Sequence, residues 1–248
     1  MFKRTGWIPD LPDHRDFVWG LGVVPAGKEI DLTMTPYCPP VYDQGDMSSC
    51  TGNSTETMQR FVHRKLGLGD FEGSRLFLYN EARMLEGSLR QDNGAAIRDV
   101  LKVLAKKGVC LERDFAYLPK NLLKAPPPAV EKKAVAHEAT KYSRMTTFAS
   151  MLACLEDGYP FVTGITVYDS FMSDAVAATG EVPMPGPSEG VQGGHAVCVM
   201  GVLASRRRFL VRNSWGPAWG IAGNFTIPFE YLADKNLCDD SWTIRIEK

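Results

Sequence analysis

Cys50 is the side chain from which chemistry can be argued. It lies in Gln44-Gly45-Asp46-Met47-Ser48-Ser49-Cys50-Thr51, directly before a stretch with helical periodicity. Far downstream come Gly193-Gly194-His195-Ala196-Val197 and then Asn213-Ser214-Trp215-Gly216. A thiol, an imidazole and a carboxamide in that order, with Gln44 upstream, form a set for nucleophilic attack on a carbonyl. A free thiol is ionised only to a few per cent at neutral pH, so a nucleophilic cysteine needs help. The partial positive charge of a helix N-terminus favours the thiolate, and a nearby imidazolium favours it further. The Asn213 amide oxygen can accept from the His195 ring and fix its tautomer. The Gln44 amide and the backbone N–H of Cys50 can supply two donors for an oxyanion.

These groups need elements to carry them. Met58, Phe61, Val62 and Leu66 recur at helical spacing, which predicts a helix over about 50–66 with Ser48 or Ser49 as its cap. Further helices are expected over 74–87 (Leu76, Phe77, Asn80, Met84), over 95–107 (Ile97, Val100, Leu101, Leu104, stopped by Gly108) and over 129–141 after Pro126-Pro127-Pro128. Phe148, Met151, Leu152 and Leu155 predict a short fifth helix. Beyond Pro160 the pattern changes to β-branched and aromatic runs. Strands are expected at Phe161–Tyr168, Ala196–Leu203, Arg208–Arg212, Asn224–Ile227 and Trp242–Ile246. A helical first half and a strand-rich second half argue an α+β fold. A Gly- and Pro-rich loop from Gly180 leads into His195. Residues 5–40 carry Pro9, Pro12, Pro25, Pro36, Pro39 and Pro40, so this segment should be extended, either as a brace on the body or as a regulatory arm near the cleft.

With 248 residues, 44% apolar and 23% charged, the chain can bury a sizeable core. A formal net charge of -1 gives no reason to expect a nucleic-acid partner. No apolar run is long enough to span a membrane. The N-terminal charges are not followed by an apolar signal region, so the expected location is the cytoplasm, with export by another route left open. The six cysteines are spread singly, which argues against structural zinc and for reduced, buried thiols, with one disulfide involving Cys38 or Cys110 left open. No cofactor or metal is called for.

At its motifs the sequence resembles the papain-like (C1) cysteine peptidases. The carriers are Pro40-Val41-Tyr42-Asp43-Gln44-Gly45 leading to Ser49-Cys50, His195-Ala196-Val197, and Asn213-Ser214-Trp215-Gly216-Pro217-Ala218-Trp219-Gly220. The resemblance implies a two-lobed fold, with a helical lobe carrying Cys50, an antiparallel β-barrel-like lobe carrying His195 and Asn213, and the active-site cleft between them. It places a proline-rich N-terminal arm at 1–35 and the peptidase domain at 36–248, with the helical lobe at about 42–125 and the β-rich lobe at about 126–248. It implies Cys50 as nucleophile, His195 as proton carrier, Asn213 as its orienter and Gln44 in the oxyanion hole. Trp215 would shield the Asn213–His195 bond, Trp219 would line the leaving-group side, and Gly94 would belong to a strip that pairs with substrate backbone. Gly164, Met184 and Gly193 are candidates for the pocket.

The Trp7-Ile8-Pro9-Asp10-Leu11-Pro12 start and the Ser49-Cys50-Thr51 core resemble the bacterial, archaeal and viral branch of the family, and Thr51, Met47 and the short proline-rich start point away from members controlled by a long propeptide. The expected activity is peptide-bond hydrolysis through a thioacyl intermediate, on peptide or protein substrates, with self-occlusion by the N-terminal arm as a candidate control. The alternatives are acyl transfer or deamidation with the same triad, and a catalytically silent binding homologue. Cys38, Cys110, Cys154, Cys198 and Cys238 read as small buried hydrophobes.

Overall fold

The structure is a computed structural model that describes residues 4–19, 27–139 and 141–246. Pro25 of the proline-rich segment lies outside them. The chain opens with two short strands, β1 (Trp7–Ile8) and β2 (Ile30–Asp31), and then enters α1 (Cys50–Lys65) and α2 (Arg75–Leu85). Strand β3 (Ala95–Ala96) leads straight into α3 (Ile97–Lys106). Helix α1 is buried over Cys50–His63, and some of its polar side chains find partners inside the protein while others, Thr51 and Thr55 among them, have buried hydroxyls without one. The Asn53 amide donates to Ser49 O at 2.9 Å, and Gly73 N–H donates to the Glu56 carboxylate at 2.9 Å. Helix α2 starts where the Ser74 hydroxyl accepts from Phe77 N–H. Ile97, Val100, Leu101 and Leu104 form the buried stripe of α3, and Gly108, at φ +76°, supplies the left-handed stop.

The helix expected over 129–141 is shorter. It ends as α4 (Pro128–Ala134) with a single tight turn over Val135–His137. Residues Lys141–Met145 form β4 instead, because the sheet edge offers them partners along Arg245–Ser241. After α5 (Phe148–Glu156), capped reciprocally by Thr147 and Ser150, come β5 (Phe161–Tyr168), α6 (Asp174–Thr179) and β6 (Val191–Leu203). Strands β7 (Arg208–Arg212) and β8 (Asn224–Pro228), helix α7 (Phe229–Ala233) and β9 (Cys238–Arg245) complete the chain. The short helices α6 and α7 carry too few periodic residues to be read in advance.

The sheet runs β4-β9-β5-β6-β7-β8, with antiparallel neighbours, and β2 pairs with β6 off this path. The 13-residue β6 pairs with β5 along its first part and with β7 and β2 along its last. The end strands β4 and β8 do not pair with each other, so the β-rich lobe is a curved antiparallel sheet and not a closed barrel. Helix α1 packs against β6, which sets the helix that begins with Cys50 against the strand that carries His195.

Candidate active site

Cys50 is the first residue of α1 and has no exposed surface. The expected hydroxyl cap is not made. Ser49 occupies the capping position, but its Oγ pairs with the Tyr117 hydroxyl, which also donates to Gln44 O. From β6, the Ala196 N–H points at Cys50 Sγ, 3.4 Å away. His195 precedes Ala196 and faces Ile165 of β5 in the ladder.

The His195 ring is held from one side. Its Nε2 lies 2.8 Å from Asn213 Oδ1, which also accepts from Ser214 N–H at 2.8 Å. An oxygen that accepts from a backbone amide cannot turn its NH2 toward the ring, so Nε2 carries the hydrogen. Nδ1 is buried without a hydrogen-bond partner, which leaves its lone pair free to take a proton. Trp215 stacks on the imidazole at 4.7 Å and 25°, and Trp219 meets Trp215 edge-on at 5.1 Å. Both indoles are buried, and Phe171 and Phe225 close the cluster behind them.

Gln44 is fully buried and makes bonds with both its amide atoms. Its Oε1 accepts from Ser214 Oγ at 2.7 Å, and its backbone N–H donates to Ser214 O at 2.8 Å. These bonds tie the segment before Cys50 to the segment after Asn213, so thiol and carboxamide are fixed in one frame. The Gln44 NH2 donates to Met47 O at 2.8 Å and to Arg4 O at 3.1 Å. A peptide carbonyl is therefore already seated on the amide expected to receive an oxyanion.

That carbonyl belongs to the N-terminal segment, which runs through the groove beside Cys50. Gly6 N–H donates to Gly194 O and Gly6 O accepts from Ala95 N–H, both at 2.9 Å. Strand β1 pairs with β3 in parallel, Trp7 opposite Ala95 and Ile8 opposite Ala96. Glycines line the contact because nothing larger fits. A Cβ on Gly164 would fall 2.0 Å from the Trp7 ring, one on Gly193 2.5 Å from Thr5 Oγ1, and one on Gly6 1.9 Å from Ser48 O. Gly94 sits at φ +95° with Gly6 O over it, while the backbone donor to Gly6 is Ala95, one residue further on. Of the expected pocket residues, Gly164 and Gly193 face the arm, and Met184 is exposed. The indole N–H of Trp7 reaches Asp240 Oδ2 at 3.1 Å. The sequence offers Trp7 only as part of a family-like start and gives no sign of the places of Thr5, Gly6 and Asp240. The Gly-Trp-Ile-Pro run is the only local signal, and nothing in it says where an extended segment lies.

Burial sets the protonation of the pair. It pushes the Cys50 thiol up to about 12, against the hydrogen bond from Ala196 N–H, and pushes His195 down to about 4, against its bond to Asn213. In both groups burial favours the neutral form. All six cysteines are free, so the disulfide left open for Cys38 or Cys110 is not formed. Among the described residues no group of three His, Cys, Asp or Glu side chains is placed to hold a metal ion.

A buried thiol at a helix start, with the strand that carries His195 packed against that helix, is an arrangement suited to a cysteine-type hydrolase. A family model described as papain family cysteine protease matches residues 27–239. The chain belongs to that family and is a cysteine peptidase by fold and relationship. It is 39% identical to an uncharacterized peptidase C1-like protein, L477, of Acanthamoeba polyphaga mimivirus, over 98% of this chain and 87% of that protein. It superposes on the crystal structure of xylellain, a cysteine protease from Xylella fastidiosa, with a TM-score of 0.91 and 34% identity, covering 100% of this chain and 99% of that one. Procathepsin L 3 from Tenebrio molitor larval midgut shares the fold at a TM-score of 0.73 and 15% identity, over 93% of this chain and 74% of that one.

Proposed function

We propose that the protein hydrolyses peptide bonds with Cys50 as nucleophile, His195 as proton carrier, Asn213 as its orienter and Gln44 in the oxyanion hole. The observation that carries this reading is the Gln44 amide, which already holds a peptide carbonyl, that of Arg4, beside Cys50. In the reaction a substrate carbonyl takes that place. Cys50 Sγ attacks its carbon as the thiol proton passes to His195 Nδ1, and the developing oxyanion draws on the Gln44 N–H. His195 returns the proton to the leaving amine, the C–N bond breaks, and a thioester remains on Cys50. Water then attacks the thioester, giving its proton to His195, and the acid leaves as the thiol re-forms. Trp215 supports this cycle by keeping water from the Asn213–His195 bond.

The same reading treats residues 4–8 as a self-occluding segment. Its support is that these residues occupy the Gln44 amide, the Ala95 N–H and the Gly194 carbonyl at once. A substrate backbone would need the same groups, so the segment and the substrate exclude each other.

Mass analysis of a peptide library treated with the protein tests the reaction. Paired fragments that add up to a substrate plus one water support hydrolysis. Amine incorporation, or the one-unit mass change of deamidation, in uncleaved peptides would replace hydrolysis with acyl transfer or deamidation. No turnover at all from a protein whose Cys50 is freely alkylated would favour a silent binding homologue.

A further inference from the structure

We propose that the arm is fastened in the groove by a proton-dependent latch, the half-buried Asp10 together with the buried Asp240, so that the groove closes more tightly in acid and opens as the pH rises. The proposal rests on the self-occlusion reading above and adds what controls it.

The latch is visible as geometry. Asp240, on β9, has no exposed surface and sits at φ +55°. Its Oδ2 takes two donors from the arm, the Trp7 indole N–H at 3.1 Å and the Asp10 backbone N–H at 2.7 Å. Its Oδ1 takes Arg144 Nη2 at 2.7 Å. Asp10 contributes its own carboxylate to the body, where Oδ2 accepts from Trp242 Nε1 at 3.0 Å and Oδ1 from Arg98 N–H at 3.2 Å. Asp240 thus holds the arm through the Trp7 indole and the Asp10 backbone, and the Asp10 carboxylate holds the body through Trp242 and Arg98, both beside the Trp7 slot.

The charges around this pair do not balance. From the arm, Asp10 and Asp16 face it, while Asp13 is engaged with Arg15. From α3 comes Arg98, which is paired with Asp16 at 2.6 Å, with Asp99 beyond it held by Lys102. From β4 comes Arg144, which reaches Asp16 at 3.4 Å and Asp239 at 3.2 Å as well as Asp240. From β9 come Asp239 and Asp240, with Lys235 on Asp239 at 3.3 Å. Four carboxylates (Asp10, Asp16, Asp239, Asp240) meet three cations (Arg98, Arg144, Lys235); Asp239 and Lys235 pair at the solvent rim, which leaves three carboxylates to two arginines inside. A buried site of this kind relieves the excess charge by holding a proton. In agreement, burial and then the charge of Asp240 push Asp10 up to about 7, and burial raises Asp240 as well.

The sign follows from linkage. In the released arm Asp10 is in water and ionises near its ordinary value, so between there and about pH 7 only the docked arm holds the proton. Docking therefore takes up one proton. It strengthens as pH falls from about 7, and above 7 both forms are ionised and docking is weakest. One proton gives roughly tenfold per pH unit, so docking should be on the order of a hundredfold tighter at pH 5 than at pH 8.

The test is amide hydrogen exchange by mass spectrometry on the full chain carrying Cys50→Ala, which prevents self-cleavage, from pH 5 to pH 8 after correction for intrinsic rates. The amides to follow are those of Gly6 and Asp10 in the arm and of Ala95 in β3, each a donor in a bond that docking makes. Protection that falls on the order of a hundredfold across this range, while amides of α1 stay constant, is the expected result, and Asp10→Asn should flatten the dependence. A flat profile in the parent, or an unchanged slope in Asp10→Asn, overturns the latch. Should Asp10→Asn leave the arm unprotected at every pH, Asp240→Asn supplies the second reading, and if that too is unprotected, the parent slope decides alone. The occlusion reading has its own readout, Cys50 alkylation in Gly6→Ala at one pH. Faster alkylation with flat exchange removes the latch and keeps the occlusion, and a pH slope with unchanged alkylation does the reverse.

Discussion

A single methyl group can separate an arm that blocks from an arm that merely braces. A Cβ on Gly6 would lie 1.9 Å from Ser48 O, against a backbone carbonyl that cannot rotate away. In Gly6→Ala the arm must retreat by more than 1 Å to reach an ordinary contact. Displacement on that scale breaks both bonds that Gly6 makes, N–H to Gly194 O and O from Ala95 N–H, each 2.9 Å in the structure. At about 1 kcal/mol net for each, docking weakens by about 2 kcal/mol, a shift of roughly thirtyfold in its equilibrium. The change is confined to the arm, because Gly6 belongs to no element of the body. The assay is the second-order rate of Cys50 alkylation by iodoacetamide at pH 7.5, with modification of the other five thiols as internal control. The expected outcome is a rate on Cys50 raised by roughly thirtyfold, with parallel gain in peptide turnover and a small change in thermal midpoint. An unchanged Cys50 rate in a variant that has lost stability would refute the reasoning and make the segment a brace.

Asn213→Ala frees His195 Nε2 and removes the acceptor that fixes its tautomer, so kcat should fall on the order of a hundredfold with little change in KM; an equal loss carried by KM alone would place Asn213 in substrate binding. Glu56 supplies a pH prediction that is independent of the site. Burial pushes its carboxyl up to about 7, whereas in the unfolded chain it loses its proton near 4.5. The fold holds the extra proton between those values, so stability falls as pH rises through that window, by roughly 3 kcal/mol at full extent. Glu56→Gln should remove this slope in urea unfolding measured at pH 5 and pH 7.5, and a slope equal to the parent's would show that the carboxyl is already ionised in the fold.

The thiol, imidazole, carboxamide and glutamine were legible because each lies in a short local pattern, and the helix start at Cys50 and the strand at Ala196–Leu203 follow from hydrophobic period. What escaped was set by partners distant in sequence. Lys141–Met145 alternates too weakly to declare a strand and becomes one against Cys238–Arg245. Ser49 has the right type and place for a helix cap, yet Tyr117 engages its hydroxyl. His63 and His137 stand among polar residues in the sequence, yet His63 is buried edge-on against Phe71 at 4.6 Å, while His137 stacks on that ring at 4.1 Å. Proline spacing announced an extended N-terminal segment, but its path is dictated by glycines at 94, 164, 193 and 194, whose missing side chains leave the room it fills.

Turnover of Cys50→Ala, measured in the Gly6→Ala background so that the groove is open, decides whether Cys50 is the nucleophile. The expected result is a folded protein whose peptide cleavage has dropped to the rate without enzyme. Cleavage within tenfold of the Gly6→Ala parent would show that the thiol at the head of α1 is not the nucleophile.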